Sequence, residues 1–186
     1  MSYNQPLASS TDYGIVKVGS GLSVTNGIIS TATGLALNYG FVNSSTLQSN
    51  PVANAINIMT FDTLGPANGV VIGPGNNSIV VTNAGTYSKF FTLTTTKTSG
   101  ATSTLSIWLR RNGTDLVGSS QELQLTNTLS TVFVSGNYTL DLAAGDNLQV
   151  CWSSADITTG FAPLPPLTNP IRPSGYAAKV TITRIS

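Results

Sequence analysis

The stretch Ser103–Leu116, "STLSIWLRRNGTDL", decides the architecture of this chain. Apolar and polar residues alternate along it: Leu105, Ile107 and Leu109 share one face, and Ser106, Trp108 and Arg110 share the other. A period of two belongs to a half-buried β-strand, because successive side chains of a strand point to opposite faces. The dipeptide Asn112–Gly113 then supplies two residues that tolerate positive φ, as a type I′ hairpin turn requires. A second strand is expected to resume over Asp115–Val117.

The same alternation recurs on either side. In "NLQVCWSS", Leu148, Val150 and Trp152 alternate with Gln149, Cys151 and Ser153, and in "YAAKVTITRIS", Ala178, Val180 and Ile182 alternate with Lys179, Thr181 and Thr183. Strand-like runs also occupy "NAINIMTF", "GVVIG", "NSIVVT", "GTYSKFFTLTTT", "QELQLT" and "STVFVSGNYTLDL". Helical periodicity is almost absent. Short strands spaced ~8–12 residues apart, with Gly, Asn, Asp and Pro between them, define a sandwich or barrel. The expected fold is all-β, an antiparallel β-sandwich of about ten strands, preceded by an extended β arm.

Two segments break the pattern. "NYGFVNSSTLQSNPV" (38–52) is polar and ends at Pro51, which puts the expected boundary between an N-terminal arm and linker, residues 1–50, and a main domain, residues 51–186. "TTGFAPLPPLTNPIRPSGY" (158–176) is dense in proline, which fixes φ and removes backbone donors. A stiff surface loop between the last two strands is expected there. It serves either as a contact surface, since a stiff loop loses little entropy when immobilised, or as a connector across the top of the sandwich.

Composition narrows the function. Charged residues make up 8% of the 186 residues, against the ~25% of ordinary soluble domains, while 40% hydrophobic residues supply a core. A formal net charge of +1 with scattered basic residues does not fit nucleic-acid binding, which needs clustered Lys and Arg. No apolar run approaches the ~20 residues of a membrane span. The opening "MSYNQPLASSTDYG" has neither the basic nor the apolar region of a secretory signal, so cytoplasmic synthesis without secretion is expected. One cysteine, Cys151, and no histidine remove internal disulfides, Cys/His zinc sites, Ser-His-Asp triads and Cys-His dyads. Cys151 reads as a small apolar filler in its strand.

The acids Asp12, Asp62, Asp115, Glu122, Asp141, Asp146 and Asp156 stand mostly beside turns, without the pairing that a glycosidase needs. "GSG" (19–21) and "GPG" (73–75) lack the rest of a phosphate-binding fingerprint. No enzymatic activity, cofactor or metal is therefore expected. Asp146 reads first as a turn residue that bonds its own backbone. Its other reading, a calcium ligand beside Asp141, needs roughly two or three converging acids.

The order of motifs from Ala53 to Ser186 resembles the C1q/TNF-like jelly roll. The resemblance rests on "NAINIMTFDTL", "VTNAGTYSKFFTLT", "IWLRRNGTDLVGSS", "LDLAAGDNLQVCWSS" and "AAKVTITRI", in that order. It implies a domain that associates as a compact homotrimer about apolar and aromatic faces. Phe90, Phe91, Trp108 and Trp152 are the candidates for that interface or for the core beside it. The segment "GIVKVGSGLSVTNGIIST" (14–31) looks like the short β modules of bacteriophage tail fibres and other trimeric virion proteins, without a repeated shaft.

Ile15, Val16, Val18, Leu22, Val24, Ile28 and Ile29 of that arm would leave an exposed apolar patch and open strand edges if unpartnered. Strand addition to another subunit or a neighbouring virion protein, such as a major capsid protein, buries them; folding back onto their own sandwich is the alternative. Two functions follow as expectations. One is a capsid cement or decoration protein of a virion, anchored by the arm. The other is the receptor-binding head of a short tail fibre or baseplate protein. Its contact surface to a host glycan or protein would comprise Arg111, Asn112, Pro163, Pro165, Pro166, Arg172 and Tyr176.

Overall fold

The computed structural model describes residues 22–25, 28–31, 37–126 and 131–186. The chain divides into two compact units, Met1–Ala36 and Leu37–Ser186. In the first, β1 (Leu22–Thr25) pairs antiparallel with β2 (Ile28–Thr31), Val24 opposite Ile29. Of the arm residues, Leu22, Val24, Ile28 and Ile29 lie on this hairpin, and Ile15, Val16 and Val18 lie outside the described residues.

The second unit begins fourteen positions earlier than the expected boundary at Pro51, at Leu37. The polar stretch expected to be a linker supplies β3 (Tyr39–Ser44) and β4 (Gln48–Ser49). β5 (Asn57–Ile58), β6 (Thr63–Asn68), β7 (Val70–Ile72) and β8 (Ile79–Val81) follow. Next come the long β9 (Gly85–Lys97), β10 (Ser103–Arg111), β11 (Thr114–Asp115) and β12 (Gln121–Leu125). β13 (Phe133–Leu142), β14 (Asn147–Ser154), β15 (Thr159–Phe161), β16 (Leu167–Thr168), β17 (Ile171–Arg172) and β18 (Ala178–Arg184) complete the chain.

Two antiparallel sheets form an all-β sandwich. The first has the order β6-β3-β18-β9-β13, with β15 and β4 continuing alongside the far end of β9. The second has the order β7-β8-β14-β10, with β11 and β12 on the outer edge of β10 and β5 beside β14. The boundary moves to Leu37 because β3 is laddered to β18 on one side and β6 on the other. Its inward positions are Gly40, Val42 and Ser44, so only one large apolar side chain marks it as core.

The expected alternation holds where the two sheets face each other. Leu105, Ile107 and Leu109 of β10, Leu148, Val150 and Trp152 of β14, and Val180 and Ile182 of β18 are all buried. They meet Val42, Tyr87, Phe91 and Leu93 from the first sheet, and the Trp152 ring stands edge-on to Phe161 at 5.1 Å. Each such side chain contributes roughly 1.5–3 kcal/mol by leaving water. Cys151 is buried on the opposite face of β14 from Val150 and Trp152, and burial pushes its thiol up to about 11.

Asn112 (φ 49°) and Gly113 (φ 81°) adopt the paired positive φ of the expected type I′ turn. The returning strand is shorter than expected, ending at Asp115. The Ser119 hydroxyl accepts from the Leu109 amide at 3.0 Å and donates to the Leu116 carbonyl at 2.7 Å, taking the place of further rungs. The proline segment is not loop throughout: Thr159–Phe161 forms β15 against Thr95–Lys97 and is fully buried. Beyond it, Leu164 and Gly175 exchange two backbone bonds (3.1 and 2.9 Å) that close the neck of the loop carrying β16 and β17.

The strand directions give this unit two distinct ends. At the proximal end lie Leu37, where the chain enters, Gly85, Arg184, the turn Leu142–Asn147 and Asn112. At the distal end lie Ser44, Ala178, Lys97 and the proline segment.

Candidate functional site

The outer face of the first sheet is built by register. Phe41, Thr181, Phe90 and Asn137 form one row across β3, β18, β9 and β13. Tyr39, Thr183, Ser88 and Thr139 form the row toward the proximal end, and Asn43, Lys179, Thr92 and Ser135 the row toward the distal end. Phe90 is 46% exposed, and Phe133, further along β13, is 59% exposed. In these rows Lys179 is the sole charged residue. A charge-poor face with exposed aromatics has the composition of an interface centre, where charged residues are depleted and aromatics enriched.

The four aromatic candidates separate accordingly. Phe91 and Trp152 are core; Phe90 stands on the outer face of the first sheet. Trp108 lies on the outer face of the second sheet, beside Cys151 by register. Its indole donates to Asp115 Oδ1 at 2.8 Å, and Arg110 Nε donates to the same oxygen at 2.7 Å. Arg110 first and then Trp108 hold the Asp115 carboxyl below its ordinary value. Tyr39, Phe41 and Phe133 belong to the outer face and were not singled out from the sequence. Phe133 shares the parity of Ser135 and Asn137 within a recognised strand, so alternation pointed to it. Tyr39 and Phe41 were hidden because β3 reads as a linker.

The contact-loop residues fall into two groups at opposite ends. Arg111 and Asn112 are proximal, whereas Pro163, Pro165, Pro166, Arg172 and Tyr176 are distal, so no single surface joins them. The distal group frames a groove of about 340 Å³ lined by Ser45, Pro163, Leu164, Pro165, Ser174, Gly175 and Tyr176. In the same loop, Ile171 is 89% exposed where β17 begins, next to the tip of the β16–β17 hairpin.

At the proximal end an open depression of about 740 Å³ is lined by Arg111, Asn112, Asp141, Asp146 and Arg184, among others. Asp141 and Asp146 thus reach one site, but both are engaged. Asp146 Oδ2 accepts from the Ala143 amide (2.9 Å) and Oδ1 from Asn112 Nδ2 (2.6 Å), while Asn112 Oδ1 accepts from the Asn147 amide (2.9 Å). This bracket ties the Asn112 hairpin to the start of β14, and the Asn112 amide holds the Asp146 carboxyl below its ordinary range. Gly145 at φ 87° completes the turn. Asp141 Oδ1 accepts from Thr86 Oγ1 at 2.7 Å. Among the described residues no group of three or more His, Cys, Asp or Glu is placed to hold a metal ion.

Two lysines of β9 are fully buried. Lys97 pairs with Asp156; Lys97 first, then Thr158, hold the Asp156 carboxyl at about 2. Lys89 faces the core among Tyr87, Phe91 and Leu93, its Nζ 5.1 Å from the Phe91 ring centroid and without a hydrogen-bond partner among the described residues. Burial lowers its amine from 10.5 to about 7. Among the described residues no helix is long and apolar enough to cross a membrane. No protein-family model matches this chain, and no curated protein is significantly similar to it.

Proposed function

We propose that this chain is a non-enzymatic structural protein of a virion, a homotrimer of C1q/TNF-like jelly-roll heads that acts as capsid cement or decoration through its N-terminal arm. The observation that carries the proposal is the outer face of the first sheet. Its rows of Phe41, Phe90, Thr and Asn offer a charge-poor surface that another copy can cover, with Lys179 at its distal side as the one charge to accommodate. The arm supplies a second, separate unit for gripping a capsid protein. Synthesis in the host cytoplasm and residence in the virion belong to the same reading.

Solution mass tests it. The full chain and a version starting at Leu37 are compared by light scattering, each with and without Phe90→Lys. A trimer in both versions, lost in Phe90→Lys, supports a self-assembling head with a free arm. Monomers in both versions, or trimers indifferent to Phe90→Lys, overturn it. Truncation at Pro51 is unsuitable, because it removes β3 from the centre of a sheet.

A second reading rests on the polarity of the sandwich. The chain enters at one end while the groove at Tyr176 and the exposed Ile171 stand at the other, as suits a receptor-binding head. Binding of host glycans or surface proteins by the version starting at Leu37, abolished by Tyr176→Ala, favours that function over cement. Dependence of capsid binding on the arm favours cement.

A further inference from the structure

Among the described residues, every sheet edge of this unit but one carries a device that discourages pairing with another chain. β6 contains Pro66 and is itself bulged, Gly65 and Pro66 standing opposite the single Phe41 of β3. β4 and β11 are two residues long and β7 is three. β12 is five residues with Glu122 as its second. β13 is the exception: ten residues, no proline, no lysine, no bulge, and a single charge, Asp141, near its end. Short edges, prolines, bulges and charges are how sheets block unwanted strand addition.

Among the described residues β13 pairs only with β9. The Thr95 amide donates to the Val132 carbonyl at 2.9 Å, which fixes the phase of the ladder. In antiparallel pairing alternate residues bond the same neighbour, so Val134, Gly136, Tyr138 and Leu140 point their backbone groups at β9. Those of Phe133, Ser135, Asn137 and Thr139 point away from the sheet and have no partner among the described residues. Asp141, next in the series, gives its carbonyl to Arg111 Nη1 at 2.9 Å.

We propose that this edge pairs with the same edge of a second copy, antiparallel about a twofold axis through Asn137. The strand is self-complementary in that register. Ser135 faces Thr139 of the other copy, Val134 faces Leu140, and Gly136 faces Tyr138. Val134, Tyr138 and Leu140 are half-buried against the core, so pairing completes their cover. No like charges meet, and about six backbone bonds form across the axis. This contact goes beyond the trimer reading: it pairs single heads if they are monomers and pairs trimers if they are trimers.

Ser135 and Thr139 also stand on the outer face of the first sheet, so the test is made in the full chain carrying Phe90→Lys, where the proposed trimer contact is already broken. Adding Ser135→Lys/Thr139→Lys then sets cation against cation across the axis at two exposed positions. Light scattering at matched high concentration should give pairs for Phe90→Lys and single heads once the two lysines are added. An odd number of copies for Phe90→Lys, or an unchanged mass once the lysines are added, overturns the proposal. Amide-resolved hydrogen exchange on the wild type decides the matter if the variant fails to fold. The amides of Phe133, Ser135, Asn137 and Thr139 should gain about a hundredfold protection at high concentration and lose it on dilution. Fast exchange at those positions at every concentration overturns it.

Discussion

Replacing Lys89 by methionine should stabilise this protein, and by an amount that depends on pH. The Lys89 amine is completely enclosed, has no hydrogen-bond partner among the described residues, and is lowered by burial from 10.5 to about 7; the Cys151 sulfur opposes that shift more weakly. Between pH 7 and 10.5 the unfolded chain holds a proton that the folded chain has released. Wild-type stability therefore rises with pH in that window, by about 1.4 kcal/mol per unit. Below pH 7 both states are protonated and the full penalty, about 5 kcal/mol, is present; above 10.5 it vanishes. Methionine matches the length of the stem without the amine, and imperfect repacking removes up to about 1.5 kcal/mol of the gain. The expected gain near pH 6 is thus about 3–4 kcal/mol, or about 10 °C in Tm. Urea unfolding of both proteins from pH 6 to 10, at one protein concentration, measures it through tryptophan fluorescence. Parallel pH profiles, or a Lys89→Met protein less stable than wild type at neutral pH, would refute the isolation of this amine.

Three further changes probe the rest of the structure. Asp146→Ala removes two of the three bonds of the bracket at the β13–β14 turn, leaving Asn112 Oδ1 on the Asn147 amide, and should cost about 1–2 kcal/mol at pH 7. Because the folded Asp146 carboxyl lies below its ordinary value, that cost should shrink as acid titrates the wild type below about pH 4, seen by thermal melting from pH 7 to 3. Lys97→Met leaves the Asp156 carboxylate without its cation and should cost about 2–3 kcal/mol above pH 4, fading toward pH 2 where the wild-type pair is itself protonated. Gly160→Ala drives a methyl group into the Gln48 carbonyl and should lower stability by about 2–3 kcal/mol, with proteolysis of the segment around β4 as a second readout.

How far the sequence reaches depends on what each strand faces. β10, β14 and β18 separate a core from an outer surface, so alternation exposes them and even their register phase. β3 is silent because Gly40 and Ser44 fill two of its three inward positions and the flanking strands satisfy its backbone. β6 is masked by Pro66, which an edge strand tolerates, and β15 by the prolines that begin two residues after it. Lys89 is the instructive case. Alternation in "GTYSKFF" places it with Tyr87 and Phe91, yet a lysine at an inward position reads as an interruption until the opposing sheet is in place. The candidate assembly face needed the sheet order, since Phe41 and Phe90 come from strands separated in sequence and joined only through β18.

The opposite placement of Leu37 and the β16–β17 hairpin has a mechanical meaning. A pull between an anchored arm and a contact at Ile171 runs along the strand axes. The six paired positions joining β3 to β18 then bear the load side by side, like a lap joint in shear. They must yield together, whereas a peeling load would break them one after another. A head built this way transmits tension without opening its core.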